Sequence, residues 1–373
     1  MEPGKDGVGD YTLRLASVLK GRGEEVLCLS MADRFISPDE QSGDPTSLYV
    51  EGYPVLLKRL SEKLSWKKRV TDLQNILNEF KPDWISLQYV PYGFNRRGLP
   101  FKLAGDLGAL RGNFRWHIMF HELWIGEEAE YTTTQKMIGW LQKRIVRNLA
   151  SATKAILHTS NPTYKMRLGR AGCPAEILPL FSNLPVAPPL FSRRDVMEEA
   201  GMDPESKSER VWIFALFGAI YPQWDAESLF ERIENVAKRE GNFRCLLLLL
   251  GRPGGDALLE RPIQACVQRN WSFLNKGELP PSVISSYLQS ADFGIATSPL
   301  SLIGKSGSVA AMQEHGLPVI VSRLEDLSED ENVGMGFLLL DHSFEVNLMK
   351  VRKTKTFSRV DSTADLLLRT LKA

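Results

Sequence analysis

Short apolar runs alternate with longer amphipathic stretches along almost the whole chain. That alternation is the pattern of parallel strands covered by helices. In the first half, runs at 26–30, 84–88, 117–120, 155–158 and 176–178 predict strands. Helical periodicity fills 11–21, 55–80, 103–110, 133–150 and 163–171. Pro179, Pro185, Pro188 and Pro189 then interrupt regular structure over 178–194, which predicts an interdomain linker. A second series follows, with strands at 211–216, 244–250, 271–275, 293–296 and 318–321. Its helices lie around 226–239, 258–269, 281–290 and 308–315, and a last helical stretch covers 362–371. Two successive doubly wound halves imply an α/β protein of two Rossmann-like domains facing a cleft.

The turn Gly7-Val8-Gly9 breaks the pattern, because such a turn normally follows a strand and only six residues precede it. A first strand absent from the fold and a start further upstream both explain this. The second is preferred, since an open central position in a parallel sheet exposes an apolar trough.

Composition narrows the function classes. The 43% hydrophobic and 24% charged content is that of an ordered globular chain, and 373 residues exceed one ordinary core. A net charge of +1 argues against a dedicated nucleic-acid binder. The charge is uneven: residues 1–187 carry 25 Lys/Arg against 20 Asp/Glu, and the remainder carries 21 against 25. Phosphate-bearing or membrane-surface acceptors suit a mildly basic front half, as do solvated helix faces. The run Lys58, Arg59, Lys63, Lys67, Lys68 and Arg69, read as one long helix, is open to the same two readings: a weak peripheral membrane contact, or more often a solvated face. Cys28, Cys173, Cys245 and Cys266 form no C-x-x-C pair and read as buried free thiols of a reducing compartment. With neither a long apolar span nor a signal-peptide core, the expected location is cytoplasmic, with the inner face of the membrane as an alternative seat.

Three places carry candidate chemistry. Gly7, Gly9 and Asp10 open the first helix, where glycines let backbone N–H groups approach an anion; a plain strand-to-helix turn explains them too. His121 and Glu122 fall just past the carboxyl end of a strand, where open α/β sheets place ligands, although a satisfied buried histidine is equally common. His117, at the strand's start, reads as structural. The densest signal is the strand 293–296 followed by Ser301-Leu302-Ile303-Gly304-Lys305-Ser306-Gly307-Ser308. Amides of Gly304 and Gly307, the hydroxyls of Ser306 and Ser308 and the Lys305 ammonium suit a diphosphate, with a flexible glycine-serine connection as the bland alternative. The spacing is not that of a Walker loop. Tyr89 and Tyr92, after the strand 84–88, place aromatic rings in a loop at a strand's carboxyl end, where they suit stacking on a ligand. Tyr221 and Trp224 fit a ligand pocket or simple packing equally. No metal site is expected.

The order Gly7-Val8-Gly9-Asp10, His121-Glu122, Gly277-Glu278-Leu279, Ser290-Ala291-Asp292, Gly316-Leu317-Pro318-Val319-Ile320 resembles the retaining, family-4 type of GT-B glycosyltransferases. The resemblance spans nearly the whole chain and is specific over the last hundred residues. It implies metal-independent transfer of a sugar from a nucleoside diphosphate donor to a hydroxyl of a glycan, lipid-linked or small-molecule acceptor. The nucleotide sugar is then a co-substrate and no cofactor is needed. It further implies an acceptor-side domain over 1–187, a nucleotide-sugar domain over 188–355, and a helix over 356–373 returning to the first domain. His121 then lies beside the donor sugar, Gly7 and Gly9 face the acceptor and the diphosphate, Asp10, Tyr89 and Tyr92 stand on the acceptor side, and Gly218 belongs to the donor loop. The chain departs from the pattern at four positions. Ile303 and Ala311 stand where the family has paired glutamates, and Ala219 and Trp224 stand where it has the arginine and lysine clamping the diphosphate. Lys305, with Arg252 after the strand ending at Leu250, is the expected replacement. A catalytically silent relative and a sugar-nucleotide epimerase, the latter with Glu122 as its one acid/base carboxylate, are the competing readings.

Overall fold

The structure, a computed structural model, describes residues 4–37, 45–126, 131–206, 210–241, 243–324 and 337–373. The chain forms two compact units, Met1–Pro179 with Val360–Ala373, and Leu180–Arg359.

In the first unit α1 (Gly7–Gly21) is followed by β1 (Leu27–Asp33), β2 (Thr46–Val50), β3 (Tyr53–Ser61) and α2 (Trp66–Phe80). Next come β4 (Trp84–Tyr89), the short helices α3 (Pro91–Phe94) and α4 (Leu103–Gly108), β5 (Arg115–Phe120) and α5 (Thr133–Thr153). The unit continues with β6 (Ile156–Thr159), α6 (Pro162–Arg170) and β7 (Glu176–Ile177). Its strands make two sheets, β1-β3-β2 and the parallel β4-β5-β6-β7. Among the described residues no strand precedes α1. Gly7 and Gly9 are not in a turn but inside α1, which Asp6 caps by accepting a hydrogen bond from the Val8 N–H at 3.2 Å.

The helix expected over 55–80 is a strand followed by a helix. Glu51 and Gly52 both have positive φ, 48° and 90°, the two-residue turn that matches hairpin twist. It pairs β2 antiparallel with β3, while Leu27–Ser30 of β1 pair parallel with the following residues of β3. Ser65 then caps α2 through the Lys68 N–H. The basic run is therefore split between elements. Arg59 is bound to the buried carboxylate of Asp33, and Lys68 to Asp72.

The second unit comprises α7 (Arg193–Glu199), β8 (Arg210–Phe217), α8 (Ala226–Arg239), β9 (Phe243–Leu250), α9 (Asp256–Gln268) and β10 (Ser272–Gly277). It continues through α10 (Pro281–Ser290), β11 (Phe293–Ala296), a 3₁₀ helix (Leu300–Lys305), α11 (Gly307–Glu314), β12 (Val319–Val321), β13 (Phe337–Leu339) and α12 (Phe344–Lys350). Its parallel six-stranded sheet has the order β10-β9-β8-β11-β12-β13, the doubly wound arrangement in which the strand order reverses between β8 and β11. Both faces are covered, and strand alternation shows it. Trp212, Phe214 and Leu216 join Leu229, Phe230 and Trp271 on one side; Ile213 and Ala215 join Val309, Met312 and Leu288 on the other.

The proline-rich stretch read as a linker runs along this second unit. Ser182 N–H donates to Glu314 at 2.8 Å, and Ala187 and Leu190 N–H donate to Ser285 and Ser286 of α10. The last helix, α13 (Val360–Lys372), belongs to the first unit: Arg22 of α1 bridges Asp361 and Asp365, and the Thr363 hydroxyl donates to the Pro179 carbonyl. All four cysteines are buried and free. No described helix is long and apolar enough to cross a membrane.

Candidate functional site

In the first unit the carboxyl ends of β4 and β5 bring Gln88 and His121 together. His121 is 8% exposed, and its Nε2 lies 2.9 Å from Gln88 Oε1, so that nitrogen carries the proton and donates. Its ring meets Tyr11 edge-on at 4.8 Å, and its backbone N–H donates to the Tyr89 carbonyl. Burial pushes the imidazole down to about 4, so it is neutral at physiological pH. Gln88 Nε2 donates in turn to Ser86 Oγ at 2.9 Å. Ser86 Oγ lies 2.8 Å from His117 Nδ1, and His117 Nε2 lies 3.0 Å from His158 Nδ1. These contacts link His121, Gln88, Ser86, His117 and His158 in one chain running into the interior of the sheet, and the Gln88 oxygen fixes the His121 tautomer.

The neighbours of His121 divide. Glu122 is half-buried beside it. Asp10 accepts from the Gly4 N–H at 2.9 Å, and burial raises its carboxyl above the usual range. Gly9 is buried in α1, whereas Gly7 is exposed. Tyr89 is fully buried between Phe94 and Phe120, which makes its ring part of the core; Tyr92, 46% exposed, is the tyrosine that presents a surface.

In the second unit Gly218 follows β8 and Ser308 opens α11. A Cβ added at Gly218 would lie 3.4 Å from Ser308 Cβ, and Gly218 has φ +89°. Only glycine adopts that φ without strain, and Gly218 and Ser308 lie in ordinary contact range of each other. Thr297, after β11, ties the same loops together: its hydroxyl donates to the Ala219 carbonyl at 3.0 Å and accepts from the Tyr221 N–H at 3.2 Å. Ser306 caps α11, its Oγ accepting from Val309 N–H and lying 3.1 Å from Ser308 Oγ. The first N–H groups of a helix have no partner within it, so Gly307 and Ser308 direct amides outward at the positive end of the dipole. Gly304 and Lys305 end the 3₁₀ helix just before this cap, both half-buried. Glycine, hydroxyl and amide groups thus gather at the strand-order reversal, where open α/β sheets bind ligands, with Lys305 preceding them in the chain.

Of the other candidates, Arg252 is paired and Trp224 is packed. Arg252 is engaged by Glu278 at 2.5 Å on the surface, each raising or lowering the other in the direction of charge, so its cation is already matched. Trp224 is 3% exposed, packed in the core with its indole N–H on Ser322 Oγ, which leaves it a packing residue. Pattern reading missed Arg323, two residues past β12, whose guanidinium lies 6.0 Å from the Tyr221 ring. A cation at a strand's carboxyl end was the available signal. Gln88 carried none, because the contact that matters is to His121, 33 residues away.

No family model and no curated protein matches the chain. Solved structures do. Anabaena HepE in complex with UDP and glucose aligns over 100% of this chain and 98% of its own at 13% identity, with a TM-score of 0.57. The likeness is of GT-B type. A glycosyltransferase from Rickettsia africae aligns over 98% and 87% at 12% identity, with a TM-score of 0.52. The UDP-GlcNAc 2-epimerase of Methanocaldococcus jannaschii aligns over 97% and 96% at 11% identity, with a TM-score of 0.50. The chain therefore has an α/β fold of parallel-sheet, Rossmann-like domains along its whole length, as these proteins do. A glycosyltransferase and an epimerase share it, so the fold alone does not choose between them.

Proposed function

We propose that the chain is a retaining glycosyltransferase that moves a sugar from a nucleoside diphosphate donor to a hydroxyl acceptor. The observation that carries this is the convergence of Gly218 with Ser306–Ser308 at the amino end of α11. We assign the diphosphate to the Gly307 and Ser308 amides, the Ser306 and Ser308 hydroxyls and the Lys305 ammonium. Arg323 takes the place of the missing clamp. It comes from β12, yet lies against Tyr221, in the loop after β8 where the resembled family carries its clamping cations.

Negative charge grows on the leaving phosphate as the anomeric bond breaks, and fixed dipoles and cations aimed there lower the barrier. His121, neutral and held by Gln88, is assigned to positioning the donor sugar, and its uncharged imidazole does not compete with the cations for the phosphates. The acceptor hydroxyl loses its proton to the departing phosphate oxygen, so no protein base is required. Tyr92 is assigned to the acceptor side.

HepE holds UDP and glucose in its own structure, which supports a uridine nucleotide as the first donor to try. The specific alternative is a catalytically silent relative that binds the nucleotide, favoured by Ala311 and Ile303 at the glutamate positions. Both of these side chains pack against the apolar core. The test is donor turnover across UDP-, GDP-, ADP- and TDP-sugars. Release of nucleoside diphosphate from one of them, with the sugar's anomeric configuration kept, supports transfer. Binding of a nucleotide with no turnover on any donor favours the silent reading.

A further inference from the structure

Helix α5 (Thr133–Thr153) carries Lys136, Lys143, Arg144 and Arg147 and not one Asp or Glu. Its inner face, Gly139, Gln142, Ile145, Val146 and Leu149, is buried in the first unit. The opposite face, at the spacing 136, 137, 140, 144, 147, forms a single stripe at helical period. In it Met137 is 58% exposed and Trp140 59% exposed, and Arg144 lies 5.9 Å from the Trp140 ring. Solvated helix faces mix charges of both signs and leave large apolar side chains inside. This face does the reverse on both counts.

We propose that the outer face of α5 seats the first unit on an anionic lipid surface. A Trp and a Met between cations is the composition of a helix lying in the membrane interface: the indole fits the headgroup level, and the basic side chains reach lipid phosphates on either side. A second copy of the chain is disfavoured by charge, because pairing this face with itself opposes arginine to arginine. Glu127, Glu128 and Glu130 precede the helix in sequence, yet residues 127–154 still hold five cations to three anions. The contact is independent of the donor chemistry proposed above. It also relocates the basic membrane patch from the 58–69 run, which the fold divides, to a helix that keeps its cations on one face.

Flotation of the full chain with phosphatidylcholine vesicles, with and without a minority of phosphatidylglycerol, tests this. Wild type is expected to float with the anionic vesicles alone and to be released by high salt. Arg144→Gln with Arg147→Gln should weaken binding roughly 30-fold, from about fivefold per cation near the surface. Trp140→Ala should weaken it at low and high salt alike. All these side chains are exposed, so melting temperatures should stay unchanged and verify folding. Failure of wild type to float, or undiminished flotation of both variants, overturns the proposal. So does heparin binding that depends on the arginines but not on Trp140, which marks a general polyanion site.

Discussion

Gln88 Oε1 accepts the Nε2 proton of His121 at 2.9 Å, and this bond joins the end of β4 to the end of β5. The amide faces that way because its nitrogen is held by Ser86, and Ser86 is held by the buried His117. A histidine with one nitrogen committed in this way presents the other as an acceptor in a fixed direction.

Gln88→Leu removes the acceptor while keeping approximate volume. We expect turnover to fall by about 10-fold or more, because misplacement of a positioning group is costly. KM for the donor should change little, since the phosphate contacts lie elsewhere. Steady-state kinetics separate the two; a raised KM with unchanged kcat would assign Gln88 to ground-state binding instead.

The same cluster makes the first unit sensitive to acid. Burial pushes His117 down to about 3 and His121 to about 4, against 6.5 when exposed. As pH falls below 6.5 the unfolded chain takes up protons that the folded chain refuses. Stability is therefore full above 6.5 and is lost as pH falls toward 4 and 3, at up to about 1.4 kcal/mol per pH unit for each group. Melting temperature measured from pH 7 to 5 should fall, and His117→Gln should flatten the slope; equal slopes would place the acid sensitivity elsewhere.

Sequence pattern captured five strands and four helices of the second unit, β8 to β12 and α8 to α11, but not α7, the 3₁₀ helix, β13 or α12. Its strands, such as Phe243–Leu250, are buried on both faces and stand out as apolar runs punctuated by glycines. The β2–β3 hairpin escaped because Val55-Leu56-Leu57-Lys58-Arg59-Leu60 repeats its apolar residues at a spacing a helix also satisfies, and it runs straight into α2. Only Glu51-Gly52 marks the turn, and a glutamate is an unusual residue there. The α11 loop was legible through its glycines and serines. The meeting of Arg323 with Tyr221 was not, since it depends on β8 and β12 flanking β11 on opposite sides of the strand-order reversal.

Gly218→Ala tests the close approach at α11. Its φ of +89° is strained for alanine, at a cost of about 1–3 kcal/mol, and the new methyl meets Ser308. Chemical denaturation should show that loss, with nucleotide affinity reduced in parallel. Unchanged affinity in a destabilised variant would separate the turn from the phosphate site.

Arg252→Ala should leave nucleotide affinity within about 2-fold, because Glu278 already engages that guanidinium and an exposed pair contributes little. Arg323→Ala should weaken it by about 10-fold, the effect of one charge-assisted hydrogen bond. Equilibrium titration of both variants ranks them, and the reverse order would return Arg252 to the site.

Calorimetric titration of UDP, GDP, ADP and TDP into wild type and Lys305→Ala is the most direct test of a diphosphate site built on α11. One nucleotide should bind wild type with micromolar to millimolar affinity, as a helix N-terminus and a few charged hydrogen bonds allow. Lys305→Ala should weaken that binding about tenfold or more, with little change in melting temperature. Equal affinity in the two proteins, or no binding of any of the four nucleotides to wild type, would contradict it.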